Sequence, residues 1–243
     1  MRDWEQEKQK RVAFIQKMLD SSGAKGIVFG NSGGKDSALV AALCSFATKN
    51  LLGVIMPCAS KRNFGEDKDD GLAVAKKYGV DVIVVDLTET REALLKATGN
   101  SFTAKAALSN IAPRLRMTTL YAIAAEKGYL VAGTGNASER YMGYFTKWGD
   151  GACDFNPIAD LTATEIFDFL RYLGAPDHVV TKAPSAGLFE GQTDESEMGV
   201  TYAEIDTFLR GEKVSEEAQK IINRYHKASL HKMALPPIFS EKE

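Results

Sequence analysis

The sequence predicts an α/β protein with an open, mostly parallel sheet and helices on both faces of that sheet. Two observations lead to this fold class. Short apolar segments rich in branched side chains alternate with stretches of helical spacing, and the apolar segments are hydrophobic throughout. Strands of that kind are typical of a parallel sheet that is buried on both sides. The predicted architecture is Rossmann-like, in a single domain spanning residues 1–243.

The predicted elements follow one another in a regular order. The first helix is amphipathic, because Val12, Ile15 and Leu19 recur at three- and four-residue spacing, and Gly23 ends it. The predicted strands cover residues 26–29, 51–56, 82–87 and 129–132. The other predicted helices begin at about Asp36 and cover residues 67–78, 89–97, 113–127, 162–173 and 216–230.

Two regions show no regular period. Residues 134–160 are rich in Gly, Asn, Asp and aromatic side chains, and residues 183–200 read as a long polar loop. Long loops in compact domains are uncommon and often close over ligands. We therefore expect residues 183–200 to act as a lid.

Composition excludes several classes of partner. The net charge of −2 provides no basic surface for nucleic acid, and no apolar run is long enough to span a membrane. The amino terminus lacks the apolar core of a signal peptide. Cys44, Cys58 and Cys153 are scattered without a metal-binding spacing, which indicates a reducing compartment. A cytoplasmic protein without a nucleic-acid or membrane partner is expected.

A glycine-rich turn between the first strand and the second helix is the sharpest local signal. It consists of Gly30, Asn31, Ser32, Gly33, Gly34, Lys35, Asp36 and Ser37. Glycines let the backbone approach an anion closely, and the helix that follows directs its free N–H groups at that anion. Asp36 would repel phosphates unless a cation lies between them, which predicts Mg²⁺. The alternative is a turn capped by Asp36 and Ser37, with no ligand.

A second segment combines the residue types of a ligand site. Residues 143–157 contain glycines, aromatic side chains, Lys147, Asp150 and Asp154 without a helical or strand period. Ligand sites combine apolar walls with a few placed charges in this way.

These segments resemble a known family. The SGGxDS turn resembles the pyrophosphatase loop of N-type ATP pyrophosphatases, enzymes that cleave ATP between its α and β phosphates. Residues 143–157 resemble the GYFTKYGDGGxDINP segment of ammonia-dependent NAD synthetases within that group. Residues 110–117, residues 182–188 and His231-Lys232 with Pro236-Pro237 resemble that family's N-x-K-A-R-x-R-M, KxPSAxL and HK...PP segments, in the same order.

The resemblance implies an activity and roles for individual residues. ATP, deamido-NAD and ammonia would be the substrates, Mg²⁺ the cofactor, and a homodimer the assembly. Asp36, Glu139 and Lys147 would be catalytic, and Asp36 and Glu139 would hold Mg²⁺. Arg114, Lys147 and Asp154 would bind deamido-NAD. ATP would be bound by residues 30–37 together with Thr134, Ser185, His231 and Lys232.

The nitrogen donor is predicted from the length of chain before the first strand, which begins at residue 26. A glutaminase domain needs far more chain than that. We expect ammonia to be used directly or to be delivered by another chain.

Several alternatives stay open on the sequence alone. Arg114 and Arg116 are also compatible with a solvated helix face, Lys147 and Asp154 with a surface ion pair, Glu139 with a turn cap and His231 with a helix end. Another N-type ATP pyrophosphatase, forming GMP or modifying tRNA, is the rival enzyme.

Position 163 departs from the family pattern. Ala163 stands where the family usually has a lysine that binds ATP phosphates. A nucleotide sensor that has lost turnover is therefore a second rival reading. If the enzyme is active, we expect Ala163→Lys to leave turnover equal or to improve it.

Overall fold

A computed structural model describes residues 2–182 and 194–239. Its sheet contains β1 (Gly26–Gly30), β2 (Leu51–Ile55), β3 (Asp81–Val84) and β4 (Tyr129–Ala132). The strands lie in the order β3-β2-β1-β4, and every neighbouring pair is parallel. Val28 in the central strand is level with Leu52 on one side and Val131 on the other. The predicted parallel α/β sheet is confirmed.

Helices precede, connect and follow the strands. The helices are α1 (Trp4–Ser22), α2 (Lys35–Ala47), α3 (Lys61–Phe64), α4 (Glu66–Tyr78), α5 (Thr88–Ala97), α6 (Lys105–Ser109), α7 (Ile111–Lys127), α8 (Ala137–Met142), α9 (Ala163–Tyr172), α10 (Asp177–Thr181), α11 (Asp194–Met198), α12 (Tyr202–Leu209) and α13 (Glu216–Met233). In the described parts of the chain, no helix is both long and apolar enough to cross a membrane.

Most predicted bounds agree with the structure, but β3 ends early, and the short helices α3, α6, α8, α10, α11 and α12 were not predicted. Strand β3 ends at Val84, although Val85 N and Leu87 N still donate hydrogen bonds to the carbonyl oxygens of Ile55 and Pro57. Helix α8 lies inside the region 134–160 that showed no period. The loop predicted over residues 183–200 is partly wrong, because residues 194–198 form α11. Residues 183–193 lie outside the described residues.

The sheet has a separate hydrophobic core on each face. Ile27 and Phe29 point into a core shared with α1, α2 and α9, whereas Val28 points into a second core shared with α7. This alternation follows the two-residue period of a strand. Each fully buried side chain of this size contributes about 1.5–3 kcal/mol. Leu120 and Ala124 of α7 belong to the second core.

A third apolar cluster lies beyond the sheet. It joins α8, α9, α12 and α13 through Met142, Ala163, Tyr202 and Ile222. All four of these side chains are buried. Two of these helices, α8 and α13, also supply residues to the cavity described below, so this cluster holds one wall of the site in place.

Candidate active site

A cavity of about 790 Å³ opens where β1, β2 and β4 end. Ligands of open parallel sheets bind at the carboxyl ends of strands, so this is the expected place. Most of the residues predicted to bind ATP line it. They are Gly30, Asn31, Ser32, Gly34, Lys35, Asp36, Ser37, Thr134 and Lys232, and the predicted metal ligand Glu139 lines it as well.

The glycine turn is shaped for close packing and leaves the start of α2 open. Gly33 has φ of 74°, and a Cβ atom there would lie 2.3 Å from the carbonyl oxygen of Asp67, so only glycine fits. Gly34 is the N-cap of α2, and no side chain caps this helix. The alternative of a turn capped by Asp36 or Ser37 is therefore wrong. The first N–H groups of α2 stay available to an anion.

Asn136 connects the two predicted metal ligands. Its side-chain N–H donates to Asp36 Oδ1 at 2.9 Å, and its Oδ1 accepts from Glu139 N at 3.0 Å. Glu139 Oε2 in turn accepts from Asn136 N at 3.2 Å, which completes a capping box at the start of α8. Glu139 is thus a helix cap, as one alternative held, and it also faces the cavity. Asn136 was not predicted, although its N-x-x-E spacing was visible.

Lys35 lies between the two carboxylates. Its Nζ is 2.5 Å from Asp36 Oδ2 and 4.0 Å from Glu139 Oε1, and its side chain is 5% exposed. The ammonium also lies 5.4 Å from the centre of the Tyr202 ring and 5.8 Å from that of Phe167. Burial lowers the pKa of Lys35, but the neighbouring carboxylates outweigh it, so the net pKa is raised. Lys35 is therefore a charged counter-ion inside the site.

The charges of the cavity are suited to a divalent cation. Among the described residues, the cavity lining carries equal numbers of cationic and carboxylate side chains. The lining therefore has no excess positive charge to neutralise the negative charge of a bound triphosphate. Burial and then the charge of Asp36 raise the pKa of Glu139 well above its usual range, so Lys35 alone does not offset the repulsion between the two carboxylates. Mg²⁺ takes one or two carboxylates together with phosphate oxygens and water. Asp36 and Glu139 fit that requirement. Within the described ranges no three His, Cys, Asp or Glu gather as a metal site.

Glu139→Gln is expected to raise the melting temperature of the nucleotide-free protein more at about pH 8 than at about pH 5. Below the ordinary pKa of a glutamate both states are protonated, and the raised pKa of Glu139 imposes no penalty. As the pH rises through the raised pKa, the folded wild type loses stability because it holds an unfavourable carboxylate. Glutamine keeps the capping box without that charge. Thermal melts at both pH values measure the difference.

Glu204→Gln is the matched control, because Glu204 has the same place in the capping box of α12. Hydrogen bonds from Thr201 lower the pKa of Glu204, so its contribution is present at neutral pH and fades on acidification. The control should therefore be destabilised at about pH 8. A lower melting temperature of Glu139→Gln than of wild type at that pH would contradict the first expectation.

Asp150 and Lys232 bring the segment 143–157 and the carboxyl-terminal helix to the cavity. Asp150 Oδ1 accepts from Thr146 N at 2.9 Å, and Asp150 lines the open cavity as an exposed residue. Desolvation by the surrounding protein raises the pKa of Asp150. Lys232 Nζ donates to the carbonyl oxygens of Gly143 and Phe145 at 2.7 and 2.9 Å. The predicted return of Lys232 to the site is found, and Asp150 is a cavity residue that was not predicted.

Arg116 is a further cavity residue that was not predicted. Its Nε donates to the carbonyl oxygen of Met56 at 3.0 Å, and its Nη2 donates to Asn63 Oδ1 at 3.0 Å. Burial lowers the pKa of Arg116. The reading of Arg116 as part of a solvated helix face is therefore wrong. Its partner Asn63 also lines the cavity.

Comparisons with known proteins identify the family. The model that describes NAD synthase matches residues 7–236. This chain belongs to the NAD synthase family. An NH(3)-dependent NAD(+) synthetase of Carboxydothermus hydrogenoformans is 47% identical over 240 residues, which are 97% of this chain and 98% of that relative. The family predicted from the sequence is confirmed, and with it an ATP-using ligase that forms a C–N bond.

Two solved structures show the same fold along their whole length. The structure of NMN synthetase from Francisella tularensis has a TM-score of 0.92 and 40% identity, covering 98% of this chain and 100% of that one. The NH3-dependent NAD synthetase from Campylobacter jejuni has a TM-score of 0.80 and 30% identity, covering 99% and 100%. The arrangement of strands and helices is therefore that of the NAD synthase family.

Four residues carried over from the NAD synthase family lie outside the cavity lining. Arg114 Nε donates to the carbonyl oxygen of Lys147 at 3.3 Å, and Lys147 Nζ donates to the carbonyl oxygen of His231 at 2.7 Å. Asp154 accepts from Tyr121 and from the backbone of Val131, so the alternative ion pair with Lys147 is not formed. The His231 side chain is exposed. Ser185, predicted to contact ATP, lies outside the described residues.

Position 163 differs from what the NAD synthase pattern suggests. Ala163 is 1% exposed, and its backbone N–H donates to Ser138 Oγ at 3.0 Å. Thr164 N donates to the fully buried Asp206 at 2.8 Å. The start of α9 is thus satisfied inside the protein and offers no open position for a phosphate. A lysine at position 163 would have to enter the third apolar cluster, which reverses the expectation for Ala163→Lys.

Proposed function

We propose that the protein activates the nicotinate carboxylate of deamido-NAD with ATP and converts it to the amide with ammonia. The products are NAD, AMP and pyrophosphate. One observation supports this most directly: the uncapped start of α2 and the carboxylates of Asp36 and Glu139 meet in one cavity at the ends of the strands. This combination binds the phosphates of a nucleotide together with their metal ion. The name of the Carboxydothermus hydrogenoformans relative, NH(3)-dependent NAD(+) synthetase, agrees with it.

The chemistry needs positioning and charge neutralisation rather than a side-chain nucleophile. A carboxylate repels nucleophiles, and oxide is a poor leaving group. In the first step a carboxylate oxygen bonds to the α-phosphorus and pyrophosphate leaves with the electron pair of the broken P–O bond. In the second step ammonia bonds to the carboxyl carbon, AMP leaves, and one proton is released. Both steps depend on holding the reactants in line.

The protein's own groups are assigned to these steps. Backbone N–H groups at the start of α2 and the hydroxyl groups of Ser32 and Ser37 bind the departing pyrophosphate. Asp36 and Glu139 would hold Mg²⁺, which neutralises phosphate charge. We assign Asp150 to the ammonia, because ammonium must lose a proton before it attacks. A cavity-facing carboxylate with a raised pKa is a better base than an ordinary one.

Three residues outside the cavity lining, Arg114, Lys147 and Asp154, are assigned to binding of the substrate. Lys147 and Asp154 belong to the segment 143–157, other residues of which line the cavity, and Arg114 donates to the carbonyl oxygen of Lys147. We propose that they bind the part of deamido-NAD that extends out of the cavity. Lys147 is then a substrate contact rather than part of the reacting centre. Thr134, His231 and Ser185 remain proposed ATP contacts.

A second candidate substrate is nicotinate mononucleotide. The observation that favours it is the TM-score of 0.92 to the Francisella tularensis NMN synthetase, against 0.80 to the Campylobacter jejuni NAD synthetase. The reacting carboxylate is the same in both substrates, and only the adenylate half differs. The residues at the reacting centre therefore cannot discriminate between the two substrates. We expect Arg114, Lys147 and Asp154 to determine which of them is preferred.

Pyrophosphate release tests the proposal. We expect release with ATP, Mg²⁺, ammonium and deamido-NAD, and a much smaller rate with glutamine in place of ammonium. Nicotinate mononucleotide, xanthosine monophosphate and a tRNA substrate are compared under the same conditions. A higher kcat/KM for nicotinate mononucleotide would favour the second candidate. ATP binding without pyrophosphate release under every condition would favour the nucleotide sensor.

The assembly and the location are also proposals. We propose a homodimer in the cytoplasm, composed of single-domain chains that take ammonia directly. The three cysteines are free, which suits a reducing compartment. Light scattering on the purified protein should give twice the mass of the chain, and the mass of one chain would contradict the dimer.

A further inference from the structure

The Lys35 ammonium lies next to the carboxylates of Asp36 and Glu139, the two proposed ligands of Mg²⁺. This inference rests on the proposed magnesium site. The Lys35 ammonium is 2.5 Å from Asp36 Oδ2 and 4.0 Å from Glu139 Oε1. Asp36 Oδ1 is bound by Asn136, and Glu139 Oε2 is bound within its own helix cap. The oxygens that remain for a metal ion are therefore those that face Lys35.

The ammonium is held there by its surroundings. The rings of Tyr202 and Phe167, on α12 and α9, lie within 6 Å of Nζ at 5.4 and 5.8 Å. Aromatic faces attract cations at this distance. Tyr202 is itself fixed, because its hydroxyl donates to Asp194 at 3.0 Å. The side chain is almost completely buried, so the charge cannot withdraw into solvent. A divalent ion entering the site meets a like charge within a few ångströms of its ligands.

We propose that Lys35 is a built-in cation of the magnesium site that weakens binding of a free divalent ion, so that the metal enters with the nucleotide. Without nucleotide, the ammonium satisfies Asp36, and a metal ion competes with it for the same oxygens. With nucleotide, phosphate oxygens add both ligands and negative charge, and the site can then hold both cations. Lys35 is a positioning residue that acts through Asp36 and Glu139.

A simple structural role for Lys35 makes a different prediction. If Lys35 only packed between the rings and α2, its removal would loosen the site and weaken metal binding. If Lys35 repels the metal, its removal strengthens metal binding in the absence of nucleotide. The two roles therefore predict opposite changes in metal affinity when the Lys35 charge is removed.

The test measures Mn²⁺ affinity of the nucleotide-free protein by titration calorimetry or by electron paramagnetic resonance. Lys35→Met keeps the length and apolar stem of the side chain without its charge. We expect it to bind Mn²⁺ about tenfold more tightly or better, since a unit charge a few ångströms away is only partly screened. Lys35→Arg keeps the charge and should stay as weak as wild type. Unchanged or weaker Mn²⁺ binding by a folded Lys35→Met would overturn the proposal.

Two further variants separate the possible failures. In Lys35→Met/Asp36→Asn, the gain in Mn²⁺ affinity should disappear, which places the ion at Asp36. If the double variant keeps the gain, the metal binds elsewhere and the proposed magnesium site itself is wrong. Lys35→Gln, which is polar and uncharged, replaces Lys35→Met if the latter does not fold as judged by circular dichroism. The same gain is expected of it, and its absence counts equally against the proposal.

Discussion

Asp36→Ala is expected to reduce kcat for pyrophosphate release by at least about a hundredfold, because it removes a proposed ligand of the Mg²⁺ that would neutralise phosphate charge in the transition state. The fold should survive. The Asp36 side chain is 17% exposed in the first turn of α2, and its own helix does not depend on it for a cap. Steady-state rates at saturating ATP and Mg²⁺, together with a thermal melt, separate loss of chemistry from loss of structure.

The matched control for Asp36 is Asp168→Ala. Asp168 is an exposed carboxylate that pairs with Arg171 on the surface of α9. The described cavity lining contains no residue of α9. Exposed ion pairs of this kind contribute little, so both turnover and melting should stay close to wild type. Retention of more than about a tenth of wild-type kcat in Asp36→Ala would contradict the assigned role.

Ala163→Lys is expected to lower the free energy of unfolding by about 3 kcal/mol or more, through overpacking and an unpaired buried charge. Ala163 is packed in the third apolar cluster and is 1% exposed. Phe167, against which Lys35 lies, follows one turn later on the same helix face, so the added ammonium would also approach a like charge. Denaturant unfolding measures the loss, and turnover should fall with it.

Thr164→Lys is the control for Ala163→Lys, because the neighbouring side chain is exposed. This variant places a lysine in the same turn of α9 but on its solvent-exposed side. It should change the free energy of unfolding by less than about 0.5 kcal/mol. Equal or improved turnover of Ala163→Lys, with wild-type stability, would restore the expectation drawn from the family pattern.

Long elements with a clear period could be predicted from the sequence. Helix α7 was predicted to within two residues and β4 to the residue, because many positions repeat the same apolar spacing. Helices α8 and α12 have six and eight residues, which is too few turns for a period to stand out. Their capping boxes were the signal available for them.

The site was predictable where its residues are neighbours in the sequence. The glycine turn and the start of α2 form one continuous segment, and the local geometry of glycine and helix N–H groups decides their arrangement. Contacts between distant segments were not predictable in this way. Asn136 meets Asp36 across 100 positions, and Arg116 binds the backbone of Met56 across 60. The buried surroundings of Ala163 likewise depend on α12, which packs onto α9 only in the folded chain.

The double use of the Glu139 carboxylate links the ordering of a short helix to events in the cavity. One oxygen closes the first turn of α8, and the other faces Lys35. A helix of six residues has little stability of its own, so its beginning depends on the hydrogen bonds of its capping box, of which this is one. Whatever draws the carboxylate towards a ligand also changes how firmly the turn is held. Occupancy of the site and local rigidity of this turn are therefore not independent quantities.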